Sequence, residues 1–248
     1  KADGTPDGDL FALGSTDQFR GPAVLPSGEI VLHRLENDND LYLQRFDTQG
    51  NPIGPEVLVP DGDDVTIDSN TVSFTPLANG NIAISWASYL EPSPPDPAFR
   101  FYTQIIDADG EFVAPLATHD TEVTTMFGAP RPQVIALANG GFLVHWRGTV
   151  DENDNIQFTG QIYDADGNAV GGTIVFDAYP PTGILRVIAL EDGGFAVAPQ
   201  PAITGDSNVA LQIYDNNGVR IGDVRLEDVG DGAFAIPSLA RLASGEIL

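Results

Sequence analysis

The residues in this sequence best suited to chemistry are carboxylates gathered in short acidic stretches. Asp61, Asp63 and Asp64 stand together, as do Asp151, Glu152 and Asp154, and His119, Asp120 and Glu122 make a third group. Calcium takes six to eight oxygen ligands, commonly from carboxylates two apart in a loop. The first two groups are therefore the candidate metal ligands, with Ca2+ as the candidate ion. Each has too few ligands alone, and the full EF-hand pattern is missing, so a solvated acidic loop is the competing account. Asp107-Ala108-Asp109-Gly110 and Asp164-Ala165-Asp166-Gly167 resemble the start of a calcium loop. They recur at one hairpin position, however, where a turn-forming Asp explains them.

Catalysis finds little support. His33, His119 and His145 sit in unlike local contexts, and no nucleophile–base pair is readable. His145 alternates with Val144 and Trp146, the pattern of a structural strand histidine. Trp86 and Trp146 could each stack on a sugar, but packing between sheets is the plainer role. The expectation is a protein that is not an enzyme, with no catalytic or cofactor-binding residue. A polysaccharide-active lyase or hydrolase with loop-borne residues is the enzymatic alternative.

These groups sit in a strongly acidic chain, with 36 Asp and Glu against 11 Lys and Arg and a net charge of −25. Such a surface repels nucleic acid and anionic membranes, which are bound through Lys and Arg. Neither is an expected partner. The charge suits high-salt or calcium-rich surroundings, where counterions screen self-repulsion. A hydrophobic fraction of 42% marks a folding sequence, not a disordered acidic tail. No apolar run reaches the roughly 18 residues that a spanning helix needs. The absence of cysteine excludes disulfides and thiolate metal sites. It fits a large secreted bacterial protein as well as a cytosolic one. Lys1 is not an initiator residue, so upstream sequence is expected.

The elements that must position any site come from an internal repeat. Turn glycines followed by apolar alternation stand at 28, 80, 140, 193 and 245, spaced by 52, 60, 53 and 52 residues. A second marker follows each of the first four: Gln44-Arg45-Phe46-Asp47, Gln104-Ile105-Ile106-Asp107, Gln161-Ile162-Tyr163-Asp164 and Gln212-Ile213-Tyr214-Asp215, each with a glycine three residues on. In the third unit, strand A is predicted near Gln133–Leu137, B at Gly141–Arg147, C at Gln157–Asp164 and D at Ala169–Phe176. Asn-Gly favours the positive φ angles of a tight A–B hairpin. At the C–D turn, Asp starts the turn and Gly takes the left-handed position.

Hairpin-linked strands in repeats of this length predict an all-β, β-propeller-like fold of four-stranded antiparallel blades, about five in number. Residues 1–248 read as a single domain with units at about 19–68, 69–127, 128–181, 182–232 and a partial 233–248. Residues 8–13 resemble a strand that could close the ring. The alternative is a piece of a longer repeat array. The four-strand order puts the A–B and C–D turns on one rim. The long B–C and D–A connections fall on the other: Glu36–Asp40, Tyr89–Ala98, Thr149–Asn155 and Pro199–Asn208, then Pro60–Asn70, Ala117–Ala129 and Glu227–Gly232. Binding commonly sits on long loops over a rigid scaffold, so the long-loop rim is the expected binding face. Glycosidases of propeller form need carboxylates on innermost strands, and the strand A stretches hold none.

The run Leu137-Ala138-Asn139-Gly140-Gly141-Phe142-Leu143-Val144-His145-Trp146, followed by Gln161-Ile162-Tyr163-Asp164-Ala165-Asp166-Gly167-Asn168-Ala169-Val170-Gly171, resembles a repeat of very large secreted bacterial proteins. These are the haemolysin-type (RTX) calcium-binding exoproteins and adhesins. The resemblance covers about residues 19–248. It drifts where Ala114 replaces the later glycine and where Ala198-Pro199 replaces His-Trp. The calcium-binding glycine-rich nonapeptides of that family are absent. The resemblance implies an extracellular or bacterial cell-surface location and carries over no binding residue. Two function classes follow. One is an adhesin-like, non-enzymatic binding module for an extracellular saccharide or protein. The other is a structural repeat of a filament, surface layer or matrix, whose partners are copies of itself.

Overall fold

A computed structural model describes residues 20–36, 40–59, 67–68, 70–90, 98–107, 109–121, 131–150, 156–176, 185–199, 208–222, 225–228 and 239. Those residues form strands and no helix, in four antiparallel sheets, one per repeat and each ordered as the chain runs. The first sheet holds β1 (Arg20–Val24), β2 (Ile30–Glu36), β3 (Asp40–Phe46) and β4 (Pro52–Val59). The second holds β5 (Ser73–Pro76), β6 (Ile82–Leu90), β7 (Ala98–Ile106) and β8 (Ala117–Thr121). The third holds β9 (Gln133–Ala136), β10 (Phe142–Val150), β11 (Ile156–Tyr163) and β12 (Ala169–Phe176). The fourth holds β13 (Leu185–Ala189), β14 (Phe195–Pro199), β15 (Asn208–Tyr214) and β16 (Arg225–Asp228). The predicted closing strand at 8–13 and the partial fifth unit at 233–248 fall outside the described residues, Leu239 excepted.

The repeated turns differ in one respect from the Asn-Gly hairpin expected. Gly140 takes φ +92°, but Asn139 does not share the positive φ, and Arg131 is the one non-glycine that has it among the described residues. Gly140 N donates to Leu137 O at 3.1 Å and Leu137 N to Gly141 O at 2.9 Å, a three-residue loop ending in a left-handed glycine. Asn139 contributes through its side chain, whose Oδ1 accepts from Gly141 N at 3.1 Å. Asp192 does the same for Gly194 N at 3.0 Å. The second glycine answers a different need. A Cβ on Gly141 would lie 2.3 Å from Tyr163 O, and one on Gly194 2.3 Å from Tyr214 O. That closeness pairs Phe142 with Tyr163 and Phe195 with Tyr214 in register, rings stacked with centroids 5.1 Å apart.

The four repeated glutamines are buried. Gln44 and Gln161 sit where the C–D register slips, between Leu43 and Arg45 and between Gly160 and Ile162. A bulge of this kind strands carbonyls on the D strand. Gln44 Nε2 donates to Arg45 O at 2.8 Å and Ile53 O at 3.3 Å, and Gln161 Nε2 to Ile162 O at 3.0 Å and Val170 O at 3.2 Å. The bulged strand turns through Gly54 and Gly171, both at φ +68°. In the second unit Ala114 holds the equivalent place. There Gln104 reverses, its Oε1 accepting from Ile105 N at 2.9 Å. Gln212 departs from the expected backbone bonding by accepting from the Tyr214 hydroxyl at 2.8 Å.

Several sequence boundaries need correction: Tyr89 and Leu90 extend β6 and pair with Phe99 and Ala98 of β7. Residues 117–121, expected within a D–A link, are strand β8, because the detour around Ala114 delays pairing until Ala117 meets Thr103. Glu227 and Asp228 pair with Val209 and Asn208 instead of opening a loop. Thr149 and Val150 extend β10 beyond a bulge after Arg147.

Sheets pack face to face in chain order, with the first strands adjacent: β1 to β5, β5 to β9, and β9 to β13. Alternation sorts the side chains. Ile82, Ile84 and Trp86 pack on Val31, Leu41 and Leu43 of the first sheet. Phe142, Val144 and Trp146 pack on Ala83, Ala87 and Phe101 of the second. Phe195 and Val197 pack on Leu143, Ile162 and Phe176 of the third. Ser73 Oγ accepts from Val134 N at 3.1 Å, tying β5 to β9.

Replacing Gln161 with Met keeps the volume and removes the donor to two main-chain carbonyls. We expect a loss of about 1–3 kcal/mol in urea unfolding, the cost of buried acceptors left unpaired. A change within error would show that the bulge needs no side-chain donor.

Candidate functional site

Five residues after each turn glycine, the B strands carry His33, Ser85, His145 and Ala198, all buried. Their register partners on the first strands are Arg20, Ser73, Gln133 and Arg186. One cross-section of each sheet, near the long-connection edge, is therefore polar. His33 and His145 are equivalent, which corrects the expectation of unlike contexts; counting from the turn glycines would have shown it.

One residue further on stand Trp86 and Trp146, each packed on the preceding sheet. Trp86 is fully buried and stacks on Tyr102 at 5.6 Å, and Trp146 lies 4.7 Å from Phe101. Both pack between sheets, and Trp146 also lines the cleft beside it. The fourth sheet has Pro199 at that position, opposite Leu185. A proline has no indole to send toward the third sheet, and a cleft of about 150 Å³ opens there.

Arg131, Arg147 and Arg186 line this cleft, and among the described residues no Asp or Glu does. Three of the chain's 11 cationic residues thus converge where acidic residues outnumber basic ones threefold overall. Gln133 and His145 add polar walls, and Phe158 and Leu185 add apolar ones. Burial, reinforced by the charge of Arg131, lowers the Arg147 pKa below its usual range. Arg131 holds φ +47°, a region that costs a non-glycine residue about 1–3 kcal/mol. Neither Arg131 nor Arg186 makes an ion pair or side-chain hydrogen bond among the described residues. Two cations of the first sheet, by contrast, are matched: Arg34 forks onto Glu56 at 2.8 and 2.6 Å, and Arg45 pairs with Glu29.

His145 is 3% exposed, and neither ring nitrogen has a hydrogen-bond partner. Burial pushes its pKa down to about 4, so it is a neutral imidazole at pH 7. Buried polar groups are nearly always paired, so an unpaired one at a cleft wall marks a place where a partner can bind.

The other candidates fare differently. Asp61, Asp63, Asp64, Asp151, Glu152 and Asp154 lie outside the described residues. Among the described ones, no group of three His, Asp or Glu could hold a metal. His119 is not a loop ligand beside Asp120. It lies on β8, stacks on Phe101 at 4.3 Å, and shares a 2.9 Å hydrogen bond with the Tyr163 hydroxyl. The Asp-x-x-Gly carboxylates are committed to their turns. Asp164 Oδ1 accepts from Asp166 N at 3.0 Å and Asn168 N at 2.8 Å, while Oδ2 takes Asn168 Nδ2 at 3.0 Å. The Asn168 side chain foremost, then these amides, hold its pKa below the usual carboxylate value. A larger cavity of about 220 Å³ lies against the bulge of the first sheet. Its cation, Arg45, already pairs with Glu29, and Asp107 and Asp109 add negative charge, so it makes the weaker site.

No family model and no curated protein matches the chain. Solved structures do. The chain is similar to a protein of unknown function from Dyadobacter fermentans, with 16% identity over 94% of this chain and 75% of that one, at a TM-score of 0.59. It is also similar to an α-L-arabinanase of Penicillium chrysogenum complexed with arabinobiose, with 14% identity, 91% and 67% coverage, and a TM-score of 0.45. The polysaccharide lyase Uly1 follows with 12% identity, 91% and 51% coverage, and a TM-score of 0.41, so the chain spans about half the lyase's length. The first likeness shows a shared arrangement of strands. The two enzymes superimpose too loosely to carry a function across.

His145 makes stability depend on pH in a definite direction. Above pH 6.5 neither state holds the proton. Between pH 6.5 and about 4 the unfolded imidazole takes a proton that the buried ring refuses, so stability falls as pH falls. The loss approaches about 3 kcal/mol across the window, at about 1.4 kcal/mol per pH unit. The lowered carboxyls of Asp47, Asp164 and Asp215 add their own losses only below that window. His145→Gln should flatten the curve between pH 6.5 and 4.5 in urea titrations. A variant that keeps the wild-type slope would place the titrating group elsewhere.

Proposed function

We propose that this chain is a non-enzymatic binding module, extracellular or attached to a bacterial surface, whose long-connection edge recognises a saccharide or protein. We take its four sheets as blades of a β-propeller-like ring, with residues 233–248 and the 8–13 strand contributing to closure. The carrying observation is the cleft between the third and fourth sheets, where three arginines and an unpaired buried imidazole converge in an otherwise acidic chain. Hydrolysis of a glycosidic bond takes paired carboxylates, and acyl transfer takes a nucleophile with a base. The described cleft walls offer neither, while they do offer donors for an anion.

Calorimetry against a panel of extracellular polysaccharides, run beside assays for new reducing ends and unsaturated products, tests this. Binding without turnover is expected. Product release that disappears in an Arg186 variant would make the cleft an active site and overturn the proposal.

Calcium remains the proposed ion for Asp61, Asp63, Asp64, Asp151, Glu152 and Asp154. A specific site stabilises by about 2.7 kcal/mol at roughly 100 times its Kd, whereas plain screening responds to any salt. Melting temperatures should therefore rise more in calcium than in sodium chloride of equal ionic strength. Equal values in the two salts would leave these residues as a solvated acidic edge.

A further inference from the structure

We infer that the cleft between the third and fourth sheets takes the carboxylate of a single sugar-acid residue, bound by Arg131, Arg147 and Arg186 with Gln133 and His145 serving its hydroxyls. This ligand assignment rests on the binding-module reading and gives its site a chemistry.

Charge supplies the first argument. Guanidinium groups bind carboxylates through charge-assisted, often forked hydrogen bonds, and among the described residues no carboxylate pairs with Arg131 or Arg186. Arg131, just before β9, and Arg186, on β13, are exposed at the cleft and available to an anion from solution. Burial first, and then the charge of Arg131, lowers the Arg147 pKa, so positive charge is concentrated at this wall.

The second argument is His145. A neutral imidazole presents one donor and one acceptor. A sulfate, which carries no O–H, could use only the donor. Hydroxyl groups use both, and Gln133, paired with His145 across β9 and β10, offers the same duality. Phe158 and Leu185 supply apolar wall for the carbon face of a sugar ring.

Size and field narrow the class further. Pockets for drug-sized ligands span about 300–1,000 Å³; at about 150 Å³ this one suits one small residue at the end of a chain. The surrounding surface belongs to a chain of net charge −25. A polyanion, whether an acidic peptide or a densely sulfated glycan, would lay many charges against that surface within a Debye length of about 8–10 Å. A single terminal carboxylate escapes most of that repulsion.

The test is calorimetry on the full chain with the methyl glycosides of glucuronate and galacturonate, the corresponding neutral glucoside and galactoside, sodium acetate, sodium sulfate and a glutamate-rich peptide. One sugar acid should bind at about millimolar Kd or tighter, and its neutral counterpart at least about ten-fold more weakly. Acetate and sulfate should bind more weakly too, lacking ring and hydroxyl contacts. Arg186→Gln at unchanged melting temperature, and Arg131→Gly at an unchanged or raised one because glycine is at ease at the positive φ, should each cost about ten-fold or more in affinity. His145→Gln should weaken the sugar acid while leaving acetate unaffected. Equal binding of acid and neutral sugars, or unchanged affinity in the arginine variants, overturns this assignment and leaves the binding-module reading standing. So does a peptide that outcompetes the sugar acids at the cleft. A chain that binds none of these probes and none of the extracellular polysaccharides fails both.

Discussion

A four-stranded sheet of roughly 50 residues buries too little by itself to be comfortably stable, and here each has apolar residues on both faces. The interior sheets solve this by giving each face a neighbour of complementary relief. The second sheet turns Ile84 and Trp86 toward the first, and Ala83 and Ala87 toward the third, where Trp146 approaches. Large against small, repeated sheet by sheet, is what dense packing without voids demands. The second glycine of the third and fourth units, Gly141 and Gly194, follows from the same demand, because beside the stacked Phe142–Tyr163 and Phe195–Tyr214 pairs a main-chain carbonyl comes too close for a Cβ.

Burying both faces also traps polar groups, and the sheets treat them in two ways. The bulge glutamines at 44 and 161 are answered inside their own sheets, by carbonyls freed where the C–D register slips. The cross-section of His33, Ser85, His145 and Ala198 is treated differently in every sheet. Ser85 donates to Tyr102 O at 2.6 Å and is closed off. His33 packs against the Phe74 ring at 5.6 Å. His145 alone of these sits at a cleft with both nitrogens unpaired. A structural layer thus supplies the one buried imidazole open to an outside partner.

Much of the fold was legible because turn chemistry is local. A left-handed glycine three residues after Leu137 or Asp164, and an acceptor side chain at the turn's start, are needed wherever these hairpins occur, so they repeat in the sequence. Strand β8 was hidden by the same logic run backwards. Its unit lacks the bulge glycine, and without that mark the chain from Glu111 to Leu116 gives no sign of where pairing resumes. The cleft was less legible still. Arg131, Arg147 and Arg186 share no spacing, and the acidic clusters that drew attention are short-range patterns that need no fold to be seen. The usable signal lay in departures from the repeat, above all Ala198-Pro199 standing where His-Trp stands one unit earlier.

That departure explains why the site is where it is. At the first two interfaces the indole six residues past the turn glycine fills the space beside the polar cross-section. At the third, a proline takes its place and β14 ends there, while the facing β10 runs on to Val150. Removing a large side chain from an otherwise regular array leaves its neighbours held in position by everything else in their sheets, so the gap does not collapse. A cavity made in this way has walls set by the repeat and contents set by the exception. The arginines around it are held at low conformational cost, because the main chain that carries Arg147 and Arg186 is fixed by strand pairing whether or not an anion is bound. Preorganisation of this kind favours binding with little rearrangement. It also means that altering the cleft's charges should change what binds there far more than it changes the fold.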